Sequence, residues 1–255
     1  MKKIAIITGA SSGFGSLFAN KIADRFKSID ELYLVARRED RLIELAKTID
    51  KPCKIISMDL KDMNNINKLI DMVAKEGVQI KMLVNSAGFG VYDEVIESRV
   101  EDCEDMIDLN CKALTVLTKE LLPFMAYNSR IINIASCAAF LPQKKFAIYA
   151  ATKSYVLSFT RALNVEIKDM GIRCTAVCPG PSETEFFDRA LNDNDNVPFY
   201  KNMFMSDPEG IVEKAINDSV KCKEVSVYSV SMNAFRCVSK VIPHSIILKI
   251  MSLFS

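Results

Sequence analysis

The chain has no tryptophan, one histidine (His244) and no pair of cysteines at C-x-x-C spacing. Structural and catalytic zinc sites draw on such clusters, so no metal centre is expected. The eight cysteines, at positions 53, 103, 111, 137, 174, 178, 222 and 237, are scattered, and are expected as reduced thiols, most of them small buried hydrophobes. No uninterrupted apolar run reaches the length of a membrane span. The first apolar segment begins at Lys3, which leaves no room for a secretory leader, and the cytoplasm is the expected compartment. Charge of either sign is not in excess: 33 Lys and Arg face 32 Asp and Glu, with no basic block, so nucleic acid is not an expected partner.

Glycine is scarce as well, with nine in 255 residues, yet three of the nine fall within Gly9-Ala-Ser-Ser-Gly13-Phe-Gly15. A β-branched run, Lys3 to Thr8, leads into this segment, and Leu17, Phe18 and Ile22 follow at helical spacing. Strand, glycine turn and helix together suit a dinucleotide. Glycines let the backbone approach a pyrophosphate, and the unpaired N–H groups and dipole at the helix N-terminus stabilise its charge.

Six further strands are expected at 31–36, 54–59, 82–85, 130–135, 174–178 and 225–229, and helices at about 14–27, 39–48, 62–75, 99–126, 149–169 and 208–221. Strands alternating with helices predict a single-domain, doubly wound α/β Rossmann fold, with a parallel sheet of about seven strands covered on both faces. At 255 residues and 49% hydrophobic composition the chain can bury one large core, and nothing marks a second domain. Ligands bind such sheets beyond the carboxyl ends of the strands. The unusual residues collect there: Gly9 to Gly15, Arg37, Asp59, Asn85 to Gly90, Ser136 and Pro179-Gly180.

Tyr149 and Lys153 lie four apart on one expected helix, so they share a face. A phenol titrates near pH 10, and one cation about 4 Å away at an effective dielectric of about 20 supplies roughly the 4 kcal/mol that would bring it to neutrality. The pair is thus a candidate proton donor and acceptor tuned downward by the ammonium.

Thr8-Gly-Ala-Ser-Ser-Gly-Phe-Gly15, Asn85-Ser-Ala-Gly88, Asn110, Ser136, Tyr149-x-x-x-Lys153 and Pro179-Gly-Pro-x-x-Thr184 occur in one register from residue 3 to about 190. In order and spacing they resemble the short-chain dehydrogenase/reductase family. Ser86 departs from the family's more frequent second Asn, and Phe14 from its Ile or Leu. The resemblance implies that Tyr149 donates a proton to a substrate carbonyl while nicotinamide delivers hydride. It further implies that Ser136 polarises that carbonyl, that Lys153 holds the ribose hydroxyls and lowers the Tyr149 pKa, and that Asn110 fixes a relay water through its main-chain carbonyl. Gly9, Gly13, Phe14, Gly15, Asn85, Ala87, Gly88, Pro179, Gly180 and Thr184 fall in the family's cofactor motifs, and Asp59-Leu60 resembles its adenine contact.

The second expected strand ends in Ala36 and is followed by Arg37-Arg38. An NAD site usually carries an acidic residue there for the ribose 2′-hydroxyl. A guanidinium suits a 2′-phosphate. NADP(H) is therefore the expected cofactor, with Arg37 as principal contact, Arg38 as support and Ser11 or Ser12 nearby.

The family's substrate lid corresponds to residues 185–208, whose Phe186, Phe187, Phe199, Tyr200, Met203 and Phe204 suggest a hydrophobic carbonyl or alcohol substrate. Phe89, Tyr92, Phe140 and Leu141 are further candidates for the pocket wall. The tail, 230–255, carries an apolar stripe (Val238, Val241, Ile242, Ile246, Ile247, Ile250, Met251 and Phe254) broken by Pro243. It suits packing on the domain or on a partner subunit, the commoner uses, or a membrane surface. The family's helices at 103–126 and 150–169 usually form subunit contacts, which implies a homodimer or homotetramer. An alternative function on the same fold is a non-catalytic NADP(H)-binding sensor.

Overall fold

The computed structural model describes residues 1–182, 184–190 and 205–251, without the side chains of residues 187–189, 250 and 251. Seven parallel strands form one sheet: β1 (Lys3–Thr8), β2 (Glu31–Ala36), β3 (Cys53–Ser57), β4 (Gln79–Asn85), β5 (Met125–Ile134), β6 (Arg173–Val177) and β7 (Val225–Ser226). Their order is β3-β2-β1-β4-β5-β6-β7. The order reverses between β1 and β4, which opens a crevice at the carboxyl ends of those two strands.

Side chains alternate across the pleat, so each strand feeds two cores. Ala5, Ile7, Leu32, Leu34 and Ile132 face α1 (Gly13–Arg25), through Phe18 and Ile22, and α8 (Pro208–Val220), through Ile211, Val212 and Ile216. Ile4, Ile6, Val35, Leu83 and Ile131 face the opposite layer. There they meet Ile66 and Leu69 of α3 (Met63–Glu76), Leu117 and Leu121 of α5 (Leu114–Leu121) and Leu163 of α6 (Ala147–Glu166). Burial on both faces explains why these strands are continuous aliphatic runs. The remaining helices are α2 (Glu39–Thr48), α4 (Val100–Ile107), α7 (Glu185–Ala190), α9 (Val230–Val241) and α10 (His244–Met251).

The expected helix over 99–126 is not continuous. A π-helical turn, Asp108–Ala113, separates α4 from α5, and the helix ends at Leu121. Pro123 sits in the short 3₁₀ turn that follows, since its missing N–H and its ring cannot continue a helix. Strand β5 consequently starts at Met125. Its pairing jumps from Ile80↔Met125 to Met82↔Arg130, a bulge that contains Asn128 at φ 56°. Strand β7 is shorter than expected, because Ser229 accepts the N–H of Met232 and caps α9.

All eight cysteines are free thiols, but only Cys174 and Cys178 are buried; Cys222 and Cys237 are exposed and the other four are half-buried. Among the described residues no helix is long and apolar enough to cross a membrane, and no three His, Cys, Asp or Glu gather as metal ligands.

Candidate active site

The glycine turn follows β1, and its backbone lies against the loop after β4. Gly9 has φ +67°, a left-handed conformation, and a Cβ there would stand 2.8 Å from the main-chain nitrogen of Ala87. A Cβ on Gly15 would stand 2.1 Å from the carbonyl oxygen of Gly9. Thr8 locks the two loops together, its hydroxyl accepting the N–H groups of Ser86 and Ala87 at 3.1 Å each. Helix α1 begins at Gly13 without a side-chain cap from Ser12 and without an acidic residue in its first turn. Its positive end is therefore available to an anion.

At the end of β2 the two arginines diverge. Arg38 donates to the Ser11 hydroxyl at 3.3 Å and forms an ion pair with Glu185 at 2.9 Å. Arg37, the expected principal contact, instead faces Asp59 at 3.9 Å. Arg38 is thus the guanidinium that reaches the glycine turn.

The other end of the site is built on β5 and α6. Ser136 lies just beyond β5 and its Oγ accepts the N–H of Ala138 at 3.1 Å, which leaves its hydroxyl proton free to donate. Tyr149 is buried in the first turn of α6, its ring centroid 4.6 Å from that of Phe146 and 5.2 Å from that of Phe186. Lys153 Nζ lies 5.6 Å from the Tyr149 ring centroid and donates to the carbonyl of Ile134 at 2.8 Å. Asn110 sits in the π-helical turn. Its amide accepts from Phe89 N at 3.1 Å and donates to Phe89 O at 2.8 Å and to Thr152 Oγ1 at 3.1 Å.

The electrostatics correct one expectation. Burial raises the Tyr149 pKa above the ordinary phenol value, and the opposing hydrogen bond with Ser136 does not overcome it. The same burial lowers Lys153 to about 8. In the free protein the phenol is therefore firmly protonated rather than tuned downward by the ammonium.

Both ends open into one cleft of about 980 Å³. Its wall includes Gly9, Ser11, Ser12, Gly13, Phe14, Arg37, Arg38, Asp59, Leu60, Ala87, Gly88, Ser136, Tyr149, Lys153, Pro179, Gly180 and Thr184. Gly15, Asn85 and Asn110 are not on this wall. The Asn85 amide donates instead to Thr118 Oγ1 at 3.0 Å and Asn133 Oδ1 at 2.9 Å, in a buried row joining β4, α5 and β5.

Of the four residues expected to line the substrate end, Phe89 does so. Phe140 and Leu141 are core residues, and Phe140 packs near Phe235 at 6.5 Å. Tyr92 stands behind the wall, edge-on to Phe146 at 5.4 Å. Phe186 lines the cleft. Phe199, Tyr200, Met203, Phe204 and the side chain of Phe187 lie outside the described residues. The tail supplies wall residues that no sequence motif marks, Met232 and Phe235 of α9, together with Ile247 of α10, a member of the apolar stripe. Val241 (82% exposed), Ile246 (51%) and Val238 (44%) from that stripe face outward. Ile250, Met251 and Phe254 contribute no described side chain.

The family model described as short chain dehydrogenase matches residues 3–195. The NADP-dependent 3-hydroxy acid dehydrogenase of Schizosaccharomyces pombe is 34% identical over 222 residues, 83% of this chain and 84% of that protein. A solved short-chain dehydrogenase from Sphingobium yanoikuyae in complex with NADPH superposes with a TM-score of 0.77 at 25% identity, covering 96% of this chain and 98% of that one. A short-chain dehydrogenase/reductase from Burkholderia phymatum in complex with NAD shares the fold, with a TM-score of 0.79 at 21% identity over 93% of this chain and 92% of that one.

Proposed function

Since this chain belongs to the short-chain dehydrogenase/reductase family, we propose that it is an NADP(H)-dependent reductase of a hydrophobic carbonyl compound, working reversibly on the corresponding alcohol. The carrying observation is that Tyr149, Ser136 and Lys153 stand in the same cleft as the glycine turn and Arg38. The close backbone approach at Gly9, the uncapped α1 N-terminus and the guanidinium at Ser11 fit a dinucleotide bearing a 2′-phosphate.

When bound, the cofactor supplies hydride to the substrate carbon. Tyr149 gives its phenolic proton to the developing alkoxide; burial keeps that proton on the phenol until the alkoxide forms. Ser136 donates its free hydroxyl proton to the same oxygen. Lys153 holds the ribose hydroxyls and supplies the nearby positive charge that stabilises the phenolate after transfer. Asn110 holds the Phe89 backbone by two hydrogen bonds, and its main-chain carbonyl serves the proton relay.

Asn85 supports the cofactor end by fixing β4, Gly15 by letting α1 approach the turn, and Asp59-Leu60 borders the adenine. The apolar wall of Phe89, Phe146, Phe186, Met232, Phe235 and Ile247 supports a hydrophobic substrate. In this reading 185–208 is the lid of a single catalytic domain, and the tail closes the far side of the cleft. Exposed Ile107, Tyr155 and Val165 on α4 and α6 support a homodimer or homotetramer, and the free thiols suit the cytoplasm. A non-catalytic sensor would have no use for a buried phenol with Ser136 and Lys153 on the same cleft wall.

The test is NADPH oxidation across a panel of ketones and aldehydes, with Tyr149→Phe as the comparison. Turnover that falls about 10²- to 10⁴-fold in the variant is expected. NADPH binding without turnover on any carbonyl, or activity indifferent to the substitution, would overturn the proposal.

A further inference from the structure

Glu185 is the first residue of α7, yet its side chain reaches back to the edge formed by β2 and α2. Its Oε2 lies 2.9 Å from Arg38 Nη1, and its Oε1 lies 3.4 Å from Arg41 Nη1. Arg38 is thereby shared between this carboxylate and the Ser11 hydroxyl of the glycine turn. A carboxylate held by two guanidiniums occupies a place built to stabilise an anion. Arg41, one helical turn beyond Arg38, extends that place and belongs to none of the motifs named above.

We propose that in the free protein Glu185 occupies the guanidinium surface that the 2′-phosphate of NADP(H) takes, with Arg41 as a further phosphate contact. Cofactor binding and the Glu185 ion pairs are then competing events. The inference rests on the NADP(H) reading above. A phosphate monoester carries more charge than a carboxylate and three acceptor oxygens, so it displaces Glu185. NADH has no 2′-phosphate and leaves the pairs intact.

The displacement has a consequence at the other end of the cleft. Phe186 follows Glu185 directly, and its ring lies against the Tyr149 phenol ring at 5.2 Å. Release of Glu185 frees the start of α7 and so moves the aromatic neighbour of the proton donor. Cofactor occupancy is in this way felt where the substrate binds.

Dissociation constants for NADPH and NADH, measured by cofactor fluorescence on the wild-type protein, Glu185→Gln and Arg41→Gln, test this. Both positions are at the surface, and thermal melts check that the variants fold. Each exposed ion pair is weak, so Glu185→Gln is expected to tighten NADPH by roughly three- to tenfold while NADH stays within twofold. Arg41→Gln is expected to weaken NADPH alone. NADPH affinity that is unchanged or reduced in Glu185→Gln, or both cofactors tightened equally, overturns the competition, and an unaltered NADPH affinity in Arg41→Gln overturns its part as a phosphate contact. A wild-type protein that binds NADPH no better than NADH refutes the underlying cofactor reading instead.

Discussion

Lys153 Nζ donates to the main-chain carbonyl of Ile134 at 2.8 Å, tying the second turn of α6 to the end of β5. The ammonium is buried, and burial lowers its pKa from 10.5 to about 8. Holding that charge costs folding stability.

The cost depends on pH in a defined direction. Below pH 8 the amine is protonated in both folded and unfolded chains, and the penalty is fully present. Between about pH 8 and 10.5 the folded protein releases the proton first, so stability rises relative to a chain without the amine. Urea unfolding of wild type and Lys153→Met at pH 7 and pH 10 should show the difference shift by about 3 kcal/mol in favour of wild type. A pH-independent difference would contradict the assignment.

Activity should move the opposite way. The raised pKa of Tyr149 keeps the phenol protonated over the accessible alkaline range, so the first group to change is Lys153, at about pH 8. A profile of kcat/KM for carbonyl reduction is expected to fall as pH rises through that value. A plateau extending to pH 10 would remove Lys153 from the proposed role.

The two arginines after β2 should be unequal. Arg38 contacts Ser11 of the glycine turn, whereas Arg37 faces Asp59. Arg38→Ala is expected to raise the KM for NADPH by about tenfold or more, the worth of a hydrogen bond to a charged group, with a smaller effect from Arg37→Ala. Neither substitution should alter the KM for NADH. Steady-state kinetics with both cofactors decides the order.

Gly15→Ala should damage the fold. The added Cβ would meet the Gly9 carbonyl oxygen at 2.1 Å, and backbone, unlike a flexible side chain, cannot swing aside. A loss of at least about 1–3 kcal/mol is expected, with a lowered urea midpoint. An unchanged midpoint would show that the turn and α1 are looser than this contact requires.

Asn133→Ala tests the buried amide row. Asn133 accepts from Asn85 at 2.9 Å and donates to Thr160 at 2.9 Å, joining β4, β5 and α6 beneath the cleft. Each partner left unpaired costs about 1–3 kcal/mol. Lower stability with a modest rise in KM for NADPH is the expected result, because the row also fixes β4 at the cofactor end; an unchanged urea midpoint would count against the row as a brace.

Much of this molecule was legible along the chain because the forces concerned are local. Aliphatic runs, glycine spacing and the four-residue offset of Tyr149 and Lys153 describe β1, β2, the turn and the reactive face of α6 to within a residue or two. The break in the expected helix at 99–126 was harder to see. Pro123 signals its end, but the π-helical turn at Asp108–Ala113 depends on Asn110 bonding a loop twenty-one residues away.

The amino-acid sequence alone determined the order of the elements, the parallel sheet and the residue types at the strand ends, because periodicity and backbone sterics act over a few residues. Tertiary structure alone decided which of those residues share the cleft. It set the side-chain amides of Asn85 and Asn110 as braces behind the wall, buried Phe140 and Leu141, brought Met232, Phe235 and Ile247 from the tail to the wall, and set Glu185 on Arg38. It also reversed the expected direction of the Tyr149 pKa. Burial is a property of the packed molecule, and here desolvation outweighs the opposing hydrogen bond with Ser136.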